Sequence, residues 1–164
     1  MSSETDRHMP VTSEEFRRAC GRFATGVSIA SVLDRGGAPH GLTVNSFSSV
    51  SLEPPLVLIS LGHKVSVIDQ FRAAKSFAIN ILKADQQPLS DRFARKGHDR
   101  FDGLKWRRGV TGVPLLPDVL AAIECEVYKI IPLGDHDLFV GEVMHVTIRD
   151  GSPLLYFASN YRHL

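Results

Sequence analysis

Apolar positions along the chain follow two rhythms, and the switches between them mark out the elements. Phe16, Ala19, Cys20 and Phe23 recur at helical spacing, and Thr12 with Glu15 forms a capping box ahead of them. The pattern predicts a helix with one apolar face, ended by Gly26. Residues 27–33 then alternate as a strand does, Asp34-Arg35-Gly36-Gly37 signals a turn, and residues 40–44 supply the hairpin partner.

The stretch 41–60, GLTVNSFSSVSLEPPLVLIS, changes character halfway. Behind Glu53-Pro54-Pro55, the run Leu56-Val57-Leu58-Ile59 reads as a buried strand. The first half sets Thr43, Asn45, Ser46, Ser48, Ser49 and Ser51 beside expected core, where polar groups cost free energy unless paired. A bound polar cofactor or backbone turns can supply the partners.

Gly62-His63-Lys64 forms a loop, and Ser66, followed by Asp69, caps a short helix through Ala74. Residues 76–82 read as a strand with Asn80 embedded in it. Residues 85–94 read as a helix turning Leu89 and Phe93 inward, and residues 95–109 as a charged, glycine-punctuated loop. Two long strands, 121–131 and 138–148, pair around Pro132-Leu133-Gly134-Asp135-His136, and residues 154–157 add a last strand. Residues 1–11 are polar and unpatterned, a disordered tail ahead of one domain over residues 12–164. Many strands, few short helices and no βαβ alternation predict a closed or nearly closed β-barrel.

Composition excludes several function classes. A length of 164 residues, 43% apolar and 23% charged, is that of one soluble domain with a sizeable core. Net charge is +1 with the signs interleaved, so no basic stripe offers a surface to nucleic acid. Cys20 and Cys125 lack metal-ligand spacing, and each is expected as a buried thiol outside any disulfide. His8, His40, His63, His98, His145 and His163 show no metal-like spacing either, so no metal is expected. No apolar run suits a membrane span and no signal-type core opens the chain, which makes the cytoplasm the default location.

Three stretches in order carry a resemblance: TVNSFSSVSLEPPLVLIS at 43–60, FARKGHDRFDGLKW at 93–106 and GDHDLFVGEV at 134–143. Together they resemble the short-chain flavin reductase family over roughly residues 15–161. Its members are reductase components of two-component, flavin-diffusible monooxygenases. The resemblance implies a mainly β fold, the Greek-key split β-barrel that binds FMN, with a few short helices. It also implies a homodimer with flavin near the subunit interface. The implied cofactors are FMN, with FAD possible, and NADH or NADPH as hydride donor; the implied partner is a flavin-dependent monooxygenase. The sequence holds no Rossmann glycine motif from which to choose between NADH and NADPH.

Flavin presents a flat ring with polar edges, a chain of hydroxyls and a phosphate. Short polar side chains and backbone N–H groups suit the ring edges. The resemblance gives ring and ribityl contacts to Thr43, Val44, Asn45 and Ser46; the residues alone also read as a serine-rich turn. Ser60, Leu61, Gly62, Lys64 and Ser66 follow a strand and open a helix, a setting that suits the phosphate or is simply a capped helix with an exposed lysine. Asn80 needs partners, either flavin edge atoms or cross-strand and loop backbone. Arg100 and Phe101 can clamp pyrophosphate and stack on a purine; the plainer reading is a charged loop anchored by its aromatics. The resemblance places His136 over the flavin ring against the nicotinamide, in a positioning and electrostatic role, and sets Tyr161 at the closing edge of the pocket.

The implied reaction passes hydride from nicotinamide C4 to flavin N5, which requires stacked rings and no side-chain nucleophile. A non-catalytic flavin-binding redox module, or a flavin-dependent oxidase of the pyridoxamine-phosphate-oxidase type, are the alternatives.

Overall fold

A computed structural model of the chain describes residues 10–97 and 99–164. The expected tail therefore lies outside the described residues as far as residue 9, as does His98. The capping box forms as the sequence predicts: Thr12 Oγ1 accepts from the Glu15 N–H, and the Glu15 carboxylate accepts from the Thr12 N–H, at the start of α1 (Ser13–Cys20). The helix closes at Gly21 rather than Gly26, because Arg22 and Phe23 tighten into three-residue turns onto Ala19 and Cys20. Its apolar face is uncovered within this chain, with Phe16 64% and Phe23 78% exposed. Cys20 shares that exposure, contrary to expectation.

The strands that follow are β1 (Thr25–Gly26), β2 (Ser28–Leu33), β3 (Pro39–Val44), β4 (Ser48–Leu52) and β5 (Pro55–Gly62). Next come α2 (Ile68–Ala73), β6 (Ser76–Ile81), a 3₁₀ turn at Ala84–Gln86 and α3 (Gln87–Ala94). Short strands β7 (Arg107–Arg108) and β8 (Pro114–Leu115) precede the long pair β9 (Ala121–Leu133) and β10 (His136–Ile148). The chain ends with β11 (Leu155–Phe157) and β12 (Asn160–Arg162), the latter not anticipated from the sequence.

Seven strands form one antiparallel sheet in the order β3-β2-β6-β9-β10-β5-β4. Its two end strands, β3 and β4, are neighbours in sequence, so residues 45–47 carry the chain from one edge to the other. One apolar cluster draws on β2, β3, β5, β6, β9 and β10 together, including Val32, Val44, Ile59, Ile79, Cys125 and Phe139, and this is the barrel interior. The fold is the mainly β split barrel that the motifs imply.

A second cluster lies on the outer face of β2, β6 and β9, where α3 and residues 101–119 cover it with Phe93, Phe101, Leu115, Leu116 and Val119. With both faces covered, β2 and β6 are buried almost throughout, whereas β5 alternates. The run Leu56 to Ile59 is accordingly half-buried at every second residue rather than wholly buried. The polar half beside it is an exposed edge strand, β4, whose serines bond to nearby backbone. At Gly141, beside a bulge in β10, an added Cβ would come within 2.6 Å of Cys125 Cβ and the Phe77 ring, so only glycine lets these strands pack.

Candidate functional site

The barrel is open along one side. β3 is an edge strand, and β4 pairs with β5 only as far as Leu58, leaving Ile59–Gly62 without a strand on that flank. One bridge crosses the gap: Ser46 Oγ donates to the Ser60 carbonyl and accepts from the Ser60 N–H, both at 3.0 Å. Ladder pairing sets Gly62 opposite His136 and Ser60 opposite Leu138. Gly62 lies beneath the imidazole: a Cβ there would sit 3.4 Å from His136 Nε2. His136 Nδ1–H donates to the Asp135 carboxylate at 2.7 Å, which leaves Nε2 free and holds the Asp135 carboxyl below the usual carboxylate range. His136 opens β10 beside a two-residue turn, not at the tip of a longer loop.

The other flank is a cleft of about 210 Å³ lined by Thr43, Val44 and Asn45 with Val27, Ser90, Ala94, Tyr156 and Tyr161. Thr43 Oγ1 donates to the Ser90 carbonyl at 2.6 Å, and the Ser90 hydroxyl meets Tyr161 Oη at 2.8 Å. Tyr161 packs edge-on against Tyr156, and burial pushes its phenol up. Thus Thr43, Val44, Asn45 and Tyr161 line the cleft, Gly62 and His136 pair where β5 meets β10, and the Ser46–Ser60 bridge links the two. Ser90 and Tyr156 were not singled out from the sequence; a serine on the inward face of α3 and a tyrosine in a final strand give no signal of their own.

A second hollow, of about 270 Å³, borders the opposite end of β3 with His40, Gly41, Ser66, Asp99, Arg100 and Phe101. Arg100 donates to the Gly41 carbonyl at 2.6 Å, to the Arg95 carbonyl at 2.8 and 3.0 Å, and to Ser66 Oγ at 3.4 Å. Most of its guanidinium therefore fastens the loop to the edge strand, and burial lowers its pKa. Lys64 is exposed on the turn after β5.

Packing accounts for four of the candidate side chains. Asn80 is wholly buried, and its amide donates to the Ile29 carbonyl and Ser31 Oγ while accepting from the Leu116 N–H. Nothing is left over for a ligand. Leu61, 1% exposed, points its side chain into the barrel. Phe101, 6% exposed, stacks edge-on between Phe93 and Trp106 and is a core aromatic. Ser66 does not cap α2, whose cap position is Val67 with no side-chain bond; its hydroxyl accepts from Arg100 instead. At six residues, α2 is also too short to present an anion site by its N-terminus alone.

Asp137 was missed altogether. Its carboxylate, 2% exposed, accepts from Arg72 Nε at 2.7 Å and from His63 Nε2 at 2.9 Å. The Arg72 guanidinium first, and then the His63 hydrogen bond, hold it below the usual carboxylate range. Among the described residues, no three His, Cys, Asp or Glu side chains are grouped to hold a metal ion. Nor is any described helix long and apolar enough to cross a membrane.

A split antiparallel barrel of this kind is the fold of solved flavin reductases. The chain belongs to the flavin reductase like domain family, which it matches over residues 20–164. It is 46% identical over 144 residues to an FMN reductase (NADH), SmoA, of Agrobacterium fabrum, covering 88% of this chain and 82% of that one. It is 39% identical over 147 residues to the reductase component of a flavin-dependent trigonelline monooxygenase of Acinetobacter baylyi. That match covers 90% of this chain and 47% of the relative, so it spans about half of that protein. Among solved structures, the NADH:FAD oxidoreductase SgcE6 of Streptomyces globisporus, in complex with NAD and FAD fragments, superposes with a TM-score of 0.87. The identity there is 34%, over 95% of this chain and 96% of that one.

Proposed function

We infer that this chain is an NADH:flavin oxidoreductase that reduces FMN, or FAD, and passes the reduced flavin to a partner monooxygenase. The observation that carries the reading is the open side of the barrel, where Thr43 to Asn45 line a cleft and Ser46 bonds across to Ser60, two residues from Gly62 and its ladder partner His136. The donor set fits a flavin: an edge strand of the sheet and short polar side chains beside it.

Bound flavin supplies the chemistry by accepting hydride at N5. Backbone and side chains of Thr43, Val44, Asn45 and Ser46 hold the ring edges and ribityl hydroxyls, and Lys64 and Ser66 serve the phosphate. Tyr161 would close the cleft, and His136, seated over Gly62 and oriented by Asp135, would present Nε2 to the nicotinamide. No side chain has to act as nucleophile. The protein's contribution is to hold two rings at reacting distance and to keep water from between them.

Exposed apolar residues, Phe16 on α1, Phe23 just after it, and Val50 and Leu52 on the β4 edge, support a homodimer, and the flavin would lie near its interface. In this reading residues 12–164 form a single domain, and use of NADH is compatible with a cytoplasmic location.

The test is steady-state loss of NADH absorbance by flavin-stripped protein with FMN, FAD or no flavin added. Saturable oxidation that depends on added flavin is expected. Retained flavin binding with intact NADH would leave a redox module or an oxidase instead. His136→Ala should lower kcat/KM for NADH by about tenfold without loss of flavin binding.

A further inference from the structure

The nearly buried carboxylate of Asp137 is not explained by folding alone. A buried ion pair is often no more stabilising than well-packed apolar residues of the same volume, so a charge at such a position has to be accounted for by what it holds. Asp137 directly follows His136, and its two partners come from the segments on either side of Lys64 and Ser66. His63 belongs to the turn leaving β5, and Arg72, which also lies 3.8 Å from Asp69, belongs to α2. The same His63 donates its backbone N–H to the Asp135 carbonyl at 2.9 Å.

One residue of the turn is thus tied to the residues before and after His136. The backbone of His136 is paired with Gly62 and Leu133, but its ring is weakly held. Its side-chain partner Asp135 is 91% exposed, and the strand neighbour beneath it, Gly62, has no side chain to buttress the ring.

We propose that Asp137 is a positioning residue for nicotinamide binding, its clamp on His63 and Arg72 fixing the first residues of β10 so that His136 stands over the split. This rests on the reading of His136 given above. The carboxylate touches neither ring; it acts through the backbone of its neighbour and through the 62–66 turn. Its removal should be felt more at the nicotinamide, through His136, than at the flavin, whose phosphate residues Lys64 and Ser66 share the clamped turn.

The experiment compares the wild-type chain with Asp137→Asn, His136→Ala and the double variant. In flavin-free protein, imidazole NMR of Asp137→Asn should show the His136 ring resonances displaced along with those of His63. In turnover, Asp137→Asn should raise KM for NADH about tenfold and KM for FMN by several-fold less. The double variant should lose no more than His136→Ala alone, because the two residues act as one unit.

An unmoved His136 resonance, an equal rise in both KM values, or losses that multiply in the double variant would overturn the proposal. A silent His136→Ala would instead overturn the role of His136, while the NMR comparison would still report whether Asp137 places it. Should Asp137→Asn not fold, His63→Gln, which cuts one arm of the clamp at a side chain 35% exposed, must give the same resonance shift and KM split.

Discussion

Replacing Asn80 with leucine separates a ligand residue from a structural one. Leucine keeps the bulk but carries no polar group. The change removes the bonds to the Ile29 carbonyl and Ser31 Oγ, and it strands the buried Leu116 N–H, which sits 3.0 Å from Asn80 Oδ1. An orphaned buried donor costs about 1–3 kcal/mol, and each lost bond about 0.5–1.5 kcal/mol. The sum is roughly 2–6 kcal/mol, and at about 2–4 °C per kcal/mol for a chain of this size the thermal midpoint should fall by roughly 5–20 °C. Residues 101–119 would loosen first, because Leu116 is one of the points at which that segment is tied to β6. The assay is thermal unfolding of flavin-free protein, paired with KM for FMN measured well below the lowered midpoint. A large fall in midpoint with KM for FMN unchanged is expected. An unchanged midpoint with weakened flavin binding would refute the reasoning and return Asn80 to the cofactor site.

Three further outcomes are expected. Gly141→Ala forces a Cβ within 2.6 Å of Cys125 and Phe77 in the barrel interior. It should destabilise the fold by about 1–3 kcal/mol, read by chemical denaturation. Burial, with Glu124 nearby, pushes the Cys125 thiol up to about 12, whereas Cys20 is exposed. A thiol reagent at mildly alkaline pH should therefore modify Cys20 in the native protein, and Cys125 only after denaturation. Asp137 has its folded pKa lowered from 3.8, so its stabilising contribution is complete above that value and lost as pH falls through the depressed folded one. The difference in thermal midpoint between wild type and Asp137→Asn should hold constant across neutral pH and shrink below about pH 4. A difference that grows on acidification would refute that assignment.

Much of the architecture was legible in the chain. The capping box at Thr12 and Glu15, the turn at 34–37 and the pairing of 121–131 with 138–148 are local signals, each written in a few neighbouring residues. So was the family, since the order of three motifs, at 43–60, 93–106 and 134–143, pointed to a flavin reductase. Burial was not legible in the same way. Asn80, Leu61 and Phe101 look like available groups in sequence, and whether they are available depends on what covers them.

That cover comes from far along the chain. Leu116 and Pro114 fill the hydrogen-bonding needs of Asn80 and Ser31 from 36 and 83 residues away, and Trp106 and Phe93 enclose Phe101. The pairing of Asp137 with His63 and Arg72, 74 and 65 residues distant, likewise exists only once β10 lies against β5 and α2 packs beneath them. By itself the sequence determined the strands, the turns and the types of residue at the opening, because periodicity and turn chemistry act over a few residues. The tertiary structure decided which polar groups stay free for a ligand and which are consumed by the fold, because that depends on contacts between segments that have no relation until the barrel closes.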